Sequence, residues 1–319
     1  MAKPFEKSSI GFKSHDGSSQ IKGVLWQPVP GVGAPGVRGV VQIVHGMAEH
    51  SGRYEDFARF LVDNGFAVCA HDHIGHGRSV ASPADLGHMP LDGGKDVLVE
   101  DVHGLRRIVQ ARFSRQIPYF VFGHSMGSYV TRAYLSRYAQ GLSGAVICGT
   151  GNEPVAKSKA GCALARRIAR RQGERTRSKL LHNLADGSFS KSVKHARTSL
   201  DWLSTDPAVI DAYLADDLCG QMFTAGAYAT LTSLTAEVAT LDSALAVPSD
   251  LPVLFIAGAL DPVGNKGKGV KSAAALFENA GIRDVEVKLY PGMRHEILNE
   301  PGKRRVYDDV LAWIDRRIR

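Results

Sequence analysis

The sequence contains no apolar run approaching the roughly 18 residues that a membrane-spanning helix requires. Its first residues, MAKPFEKSSIGF, hold no apolar stretch of signal-peptide length. These two absences predict a soluble, unexported, cytoplasmic protein. Cysteine is scarce: Cys69, Cys148, Cys162 and Cys219 stand far apart, so the paired spacings of a zinc site are missing. A disulfide framework is a poor reading for 319 residues that are 44% hydrophobic, which is enough for one large core or a core with a smaller insertion. Cys69 and Cys148 lie in apolar runs and read as buried free thiols. Phosphate-binding signatures are missing as well. Gly31-Val32-Gly33-Ala34-Pro35-Gly36 fits G-x-G-x-x-G in letters only, because Pro35 lies inside it and a strand rather than a helix follows, so it reads as a loop. The lysines at 266, 268 and 271, among Gly264, Gly267 and Gly269, do not meet the P-loop pattern and read as a solvated loop. No cofactor is expected.

Charged residues make up 22% of the chain, which argues against wholesale disorder, but the net charge of +7 is concentrated. Between Glu153 and Leu200 stand twelve basic residues (Lys157, Lys159, Arg166, Arg167, Arg170, Arg171, Arg175, Arg177, Lys179, Lys191, Lys194 and Arg197) against Glu153, Glu174 and Asp186. That segment carries +9, so the remainder is close to neutral. A solvated helix face is the plain reading, with transient contact with an anionic surface as the alternative; no nucleic-acid partner is expected.

Two periodicities alternate along the chain. Asp16-Gly17 marks a hairpin-type turn in a weakly alternating first 30 residues. Val40–Val44, Phe66–Ala70, Pro118–Phe122 and Ala145–Cys148 are short apolar runs that predict buried strands. Between them, Tyr54–Val62, the stretch from Val97 to Val109, and Met126–Tyr138 have helical spacing. Such alternation implies a parallel sheet covered on both faces, since parallel strands need long crossovers that helices supply. Roughly from Asn152 to Pro248 the pattern breaks into basic, then helical, sequence without a clear strand. It resumes with strand Leu251–Ala257, helix Lys271–Ala280, strand Val285–Tyr290 and helix Arg305–Ile318. The expected organisation is a core of residues 1–151 and 249–319, interrupted by a helical cap at 152–248 lying over the carboxyl ends of the strands.

Gly123-His124-Ser125-Met126-Gly127 is G-x-S-x-G between a predicted strand and a predicted helix, the context of a nucleophile elbow. The serine must occupy a sharp strained turn, and flanking glycines let strand and helix pass closely. A serine hydroxyl needs a general base. The chain order serine, acid, histidine leaves His182, His195 and His295; the first two fall in the insertion, whereas His295 follows a strand through a loop at the sheet's carboxyl edge. Asp261 ends another strand at that same edge, just before Pro262, and is the expected orienting acid. The backbone N–H of Met126, directly after the nucleophile, and that of Met47, on the loop after strand Val40–Val44, are the expected oxyanion donors. His71-Asp72-His73-Ile74-Gly75-His76 invites a metal reading, but its place after a strand and its glycines favour a hydrogen-bonded structural loop. No metal is expected.

Five segments together resemble the monoacylglycerol lipase and lysophospholipase branch of the α/β hydrolases, which also includes serine aminopeptidase-like members. They are His45-Gly46-Met47-Ala48-Glu49-His50-Ser51-Gly52-Arg53-Tyr54, Asp72-His73-Ile74-Gly75-His76-Gly77-Arg78-Ser79, Gly123–Gly127, Gly258-Ala259-Leu260-Asp261-Pro262-Val263 and Arg294-His295-Glu296. The resemblance implies the α/β-hydrolase fold, a mostly parallel eight-stranded sheet with helices on both faces and a helical cap insertion. It places nucleophile, acid and base at Ser125, Asp261 and His295, the oxyanion amides at Met47 and Met126, and a structural role on the Asp72–Ser79 loop. The cap resembles the family least, because its first half is basic where lipase-like members are apolar; Trp202–Tyr228 is the part expected to line an acyl pocket.

The expected activity is hydrolysis of a small acyl ester, monoacylglycerol-like or otherwise short to medium in chain, through an acyl-enzyme. Amide or peptide hydrolysis is the alternative and would need an acidic anchor for a substrate amine, for which Asp216 and Asp217 are the candidates. A non-hydrolytic ligand receptor on the same fold is the reading from another class.

Overall fold

The computed structural model describes residues 5–29, 36–114, 116–185, 187 and 189–318. The Gly31–Gly36 segment, apart from Gly36, lies outside the described residues.

β1 (Phe5–Lys13) and β2 (Gln20–Pro28) form an antiparallel hairpin whose turn includes Gly17 at φ 78°. Asp101 holds that turn, accepting from the Ser14 hydroxyl at 2.7 Å and the His15 N–H at 2.8 Å. β2 then pairs antiparallel with β4 (Phe66–His71). β4, β3 (Gly39–Val44), β5 (Tyr119–His124), β6 (Gly144–Cys148), β7 (Val253–Gly258) and β8 (Val285–Tyr290) are joined in parallel. Among the described residues the sheet has eight strands in the order β1-β2-β4-β3-β5-β6-β7-β8.

The apolar runs are continuous rather than alternating because both faces of the central strands are covered. Successive side chains still go to opposite faces. In β3, Val40 and Val44 join one core cluster while Val41 and Ile43 join the other; Tyr119 and Val121 of β5 oppose Phe120 and Phe122 in the same way. One face is packed by α2 (Gly94–Gln110), α3 (Met126–Tyr138) and α9 (Lys268–Asn279), the other by α1 (Glu55–Asp63) and α10 (Lys303–Asp315). Each central strand thus supplies both cores.

Between β6 and β7 the described residues form α4 (Val155–Gln172), α5 (Lys179–Ala185), α6 (Pro207–Leu214), α7 (Ala225–Val238) and α8 (Leu241–Leu245). α4 packs along α7. The α4 face that meets it is narrow: Ser158, Ala165 and Ala169 are buried, and the basic side chains lie elsewhere on the helix.

The Asp72–Ser79 loop is held from within. The Asp72 carboxylate accepts from the Ser51 N–H, the Ser51 hydroxyl and the Arg78 N–H at 2.8, 2.6 and 2.9 Å. The Ser79 hydroxyl accepts from the Lys22 N–H on β2. Burial lowers the His71 imidazole to about 3 and the His76 imidazole to about 4, so both pack as neutral rings.

Candidate active site

Ser125 sits between β5 and α3 with φ 53° and ψ −122°, a conformation costly for any residue with a side chain. It turns the chain sharply enough to keep the hydroxyl out of the sheet. Close packing makes the neighbouring glycines necessary. A Cβ on Gly127 would run into the carbonyl oxygens of Val44 and His45, and one on Gly123 into Thr131 and the Gly127 carbonyl.

His295 lies on the loop after β8 and Asp261 on the loop after β7. Their pairing is direct, Nδ1 to Oδ2 at 2.9 Å, with both side chains buried. Because the carboxylate is an acceptor, Nδ1 carries the proton, and Nε2 is left with its lone pair. The imidazole is packed between two rings, Trp202 at 5.1 Å and His124 at 4.8 Å between centroids. The loop is fixed to the cap by backbone bonds from His295 N–H to the Trp202 carbonyl and from Glu296 N–H to the Leu203 carbonyl, and by Arg294 Nη1 donating to the carbonyls of Asp201 and Ser204.

Ser125 and His295 both line one cavity of about 620 Å³, within the range of small-molecule sites. Gly46, Met47 and Met126 line it too. Met126 is the first residue of α3, so its N–H has no partner inside the helix. Among the described residues neither the Met47 nor the Met126 N–H donates to a protein acceptor. Much of the remaining wall is apolar and comes from the 152–248 segment, including Leu164, Leu181, Leu184, Trp202, Leu203 and Leu231. The expectation that Trp202–Tyr228 forms the pocket is therefore too narrow. α4 and α5 contribute as well, because Leu164 of α4 and Leu181, Leu184 and Ala185 of α5 face the cavity although α4 is otherwise rich in basic residues.

A buried ionic network behind the Met47 loop was not foreseen. Glu49 accepts from the Gly46 N–H at 2.6 Å, the Tyr54 hydroxyl at 2.7 Å and Arg53 at 2.8 Å. Arg53 also makes a bidentate pair with Glu296 at 2.7 Å, tying the Met47 loop to the loop that carries His295. Burial by itself would raise the Glu49 carboxyl, but the hydrogen bond with His124 and the charge of Arg53 outweigh it and hold the group well below the usual carboxylate range. His124 responds in the opposite sense: burial would lower it, and the hydrogen bond and charge of Glu49 raise it above an ordinary imidazole. Its Nε2 faces the His295 carbonyl at 3.3 Å. From the other side, Tyr213 donates through its hydroxyl to the Ala48 carbonyl at 2.7 Å, where Ala48 is held at φ 53°. Glu49, Arg53 and Glu296 were visible in the sequence as parts of HGMAEHSGRY and RHE, but only the fold brings the two motifs into contact.

Neither Asp216 nor Asp217, the candidate amine anchors, lines the cavity. Asp216 accepts from His50 Nε2 at 2.8 Å and, with Cys219, makes the one cluster of three potential metal ligands among the described residues. Its geometry suits a latch between core and cap. His50 Nδ1 accepts from the Gly52 N–H, so Nε2 carries the proton toward Asp216 and has no lone pair to offer there.

Residues 35–302 match the family described as serine aminopeptidase, S33. The chain is 32% identical over 290 residues to a monoacylglycerol lipase of Mycolicibacterium smegmatis, covering 87% of this chain and 88% of that one. It is 26% identical over 301 residues to a Homo sapiens monoglyceride lipase, covering 92% and 86%. Among solved structures it is similar to a highly thermostable carboxyl esterase from Bacillus coagulans in complex with glycerol, with a TM-score of 0.90, 31% identity, and 98% and 99% of the two chains covered.

Proposed function

The chain belongs to the serine aminopeptidase (S33) family of α/β hydrolases, and from that membership we propose a serine esterase that hydrolyses monoacylglycerol-like or other short- to medium-chain acyl esters. The observation that carries the reading is the His295–Asp261 bond at 2.9 Å, with His295 and Ser125 in the wall of one cavity beside two amides that have no protein acceptor among the described residues.

Ser125 attacks the ester carbonyl while His295 Nε2 takes its proton. Asp261 keeps the imidazole in the required tautomer and stabilises it once charged. The N–H groups of Met47 and Met126 receive the developing oxyanion. His295 then protonates the leaving alcohol, and the same histidine activates the water that hydrolyses the acyl-enzyme. Residues 152–248 act as the cap that supplies the acyl site, on a catalytic core of 1–151 and 249–319. The apolar walls suit an acyl chain, and the names of the relatives support a glycerol ester. A reducing, cytoplasmic setting is supported by four free cysteines.

Ester rather than amide chemistry is favoured because the acids that line the cavity are already engaged: Glu49 and Glu296 by Arg53, and Glu153 by Lys157. Ser125→Ala should abolish hydrolysis of p-nitrophenyl butyrate and labelling by a fluorophosphonate probe while leaving the melting temperature unchanged. Full activity in that variant would sink the assignment. A p-nitroanilide substrate cleaved as fast as the ester would favour the amide reading.

A further inference from the structure

Ala48 occupies a strained place on the loop that carries the proposed oxyanion donor Met47. Its φ of 53° lies in the left-handed region, where an L side chain crowds the following carbonyl and only glycine is at ease. Such a conformation persists only where the surrounding contacts hold it. On one side of Met47 the Gly46 N–H donates to Glu49 at 2.6 Å. On the other side the Ala48 carbonyl accepts from two donors, the Tyr213 hydroxyl at 2.7 Å and the Gly220 N–H at 2.9 Å. The Gly220 N–H is shared and also reaches the Tyr213 oxygen at 3.2 Å. The Met47 amide is thus clamped between a carboxylate of the core and two groups of the cap.

Tyr213 stands in the last turn of α6 and is buried. The Arg53 guanidinium lies over its ring, 4.8 Å from the centroid. Burial pushes the phenol well above its ordinary range, so the hydroxyl stays protonated and remains a donor. Tyr213 packs with Trp202, Leu203, Ile210 and Cys219 in an apolar cluster of their own. The same cluster reaches the other half of the machinery: the Trp202 ring packs against His295, and the Leu203 carbonyl accepts from the Glu296 N–H at 2.7 Å. One small core in the cap therefore braces the Met47 loop and the His295 loop together. Packing would need only the Tyr213 ring, whereas its hydroxyl is spent on the carbonyl of a strained residue. Tyr213 also lines the cavity, so direct contact with substrate is the rival role.

We infer that Tyr213 is a positioning residue for the ester hydrolysis proposed above, on which this inference rests: its hydroxyl, with the Gly220 N–H, holds Ala48 in the left-handed conformation that aims the Met47 N–H at the oxyanion. The oxyanion site is then complete only while this part of the cap is seated on the core. Tyr213 acts through the Met47 amide and not through the acyl chain.

Tyr213→Phe keeps the ring and removes the hydroxyl, leaving the Gly220 N–H as donor to Ala48. On p-nitrophenyl butyrate kcat should fall about tenfold, a part of the roughly 10²–10³ that loss of a whole oxyanion donor costs, with KM within about twofold of the parent. A trifluoromethyl ketone, which becomes a tetrahedral oxyanion on Ser125, should lose affinity by about the same factor as kcat. Removing the left-handed penalty should rescue the variant: in an Ala48→Gly background the loss caused by Tyr213→Phe should shrink to about twofold. Hydrogen exchange across residues 45–50, measured without substrate, should quicken in Tyr213→Phe. Three results would overturn the proposal: kcat kept at the parent value, whether or not KM rises; an undiminished loss in the Ala48→Gly background; or unchanged exchange across residues 45–50. Parent protein that hydrolyses no ester, with exchange still quickened by Tyr213→Phe, would count against the esterase reading alone.

Discussion

Removing the Glu49 carboxylate should damage catalysis more than substrate binding. Glu49 accepts from Gly46, Tyr54 and Arg53 and pairs with His124, and Gly46 is the residue just before the proposed oxyanion donor Met47. In Glu49→Ala the Gly46 N–H loses its acceptor, the Tyr54 hydroxyl is left with His124 Nδ1 alone, and Arg53 keeps only Glu296. Breaking a buried ion pair costs about 3–5 kcal/mol, which for a chain of this size lowers the melting temperature by roughly 4–8 °C. Deleting one oxyanion donor outright costs about 10²–10³ in kcat. Loosening the loop that holds one should therefore cost part of that, about 10- to 100-fold. KM should change within about threefold, because the acyl walls contributed by α4, α5 and Trp202 are untouched. Glu49→Gln keeps an oxygen for Gly46 and Tyr54 but presents an amide N–H to Arg53. It should recover most of kcat while remaining less stable than the parent. The assay is p-nitrophenyl butyrate kinetics below the melting transition of each variant, with thermal melts alongside. If Glu49→Ala kept the parent kcat despite a lowered melting temperature, the network would be structural only and the positioning argument would be wrong.

Two further outcomes follow from named contacts. Asp261→Asn should cut kcat by about 10³–10⁴, because an amide no longer selects the tautomer with Nδ1 protonated, while folding is retained; a loss under tenfold would remove Asp261 from its role. Asp101 is raised by burial to about 6 although Ser14 and His15 donate to it. Its folded value lies above the unfolded one, so its ionisation weighs against folding as pH rises through about 6, and the effect disappears below about 4. Asp101→Asn should therefore be more stable than the parent by up to about 3 kcal/mol at pH 8 and no more stable near pH 4; urea melts showing the reverse order would contradict this.

Much of the candidate site was legible because its signals are local. A strained serine turn needs small neighbours, and G-x-S-x-G displays them in five consecutive letters. Histidine and aspartate were legible by position, since loops leaving parallel strands all emerge at one edge. The central β strands were legible as apolar runs because burial on both faces leaves few polar positions, and Met126–Tyr138 was read with the boundaries the helix has.

Other features carry no local signal. Arg53 and Glu296 are 243 residues apart, and no periodicity announces that a carboxylate after His295 will complete a network behind the Met47 loop. The order β1-β2-β4-β3 depends on which strand edges are free to pair as the sheet assembles, and not on any one strand. α4 shows the division most clearly. Its sequence determined a basic helix, but tertiary packing decided that Ser158, Ala165 and Ala169 would be covered and that Leu164 would face the cavity. Composition sets what a segment can tolerate around it, whereas long-range contacts choose which of its faces meets protein and which meets everything else.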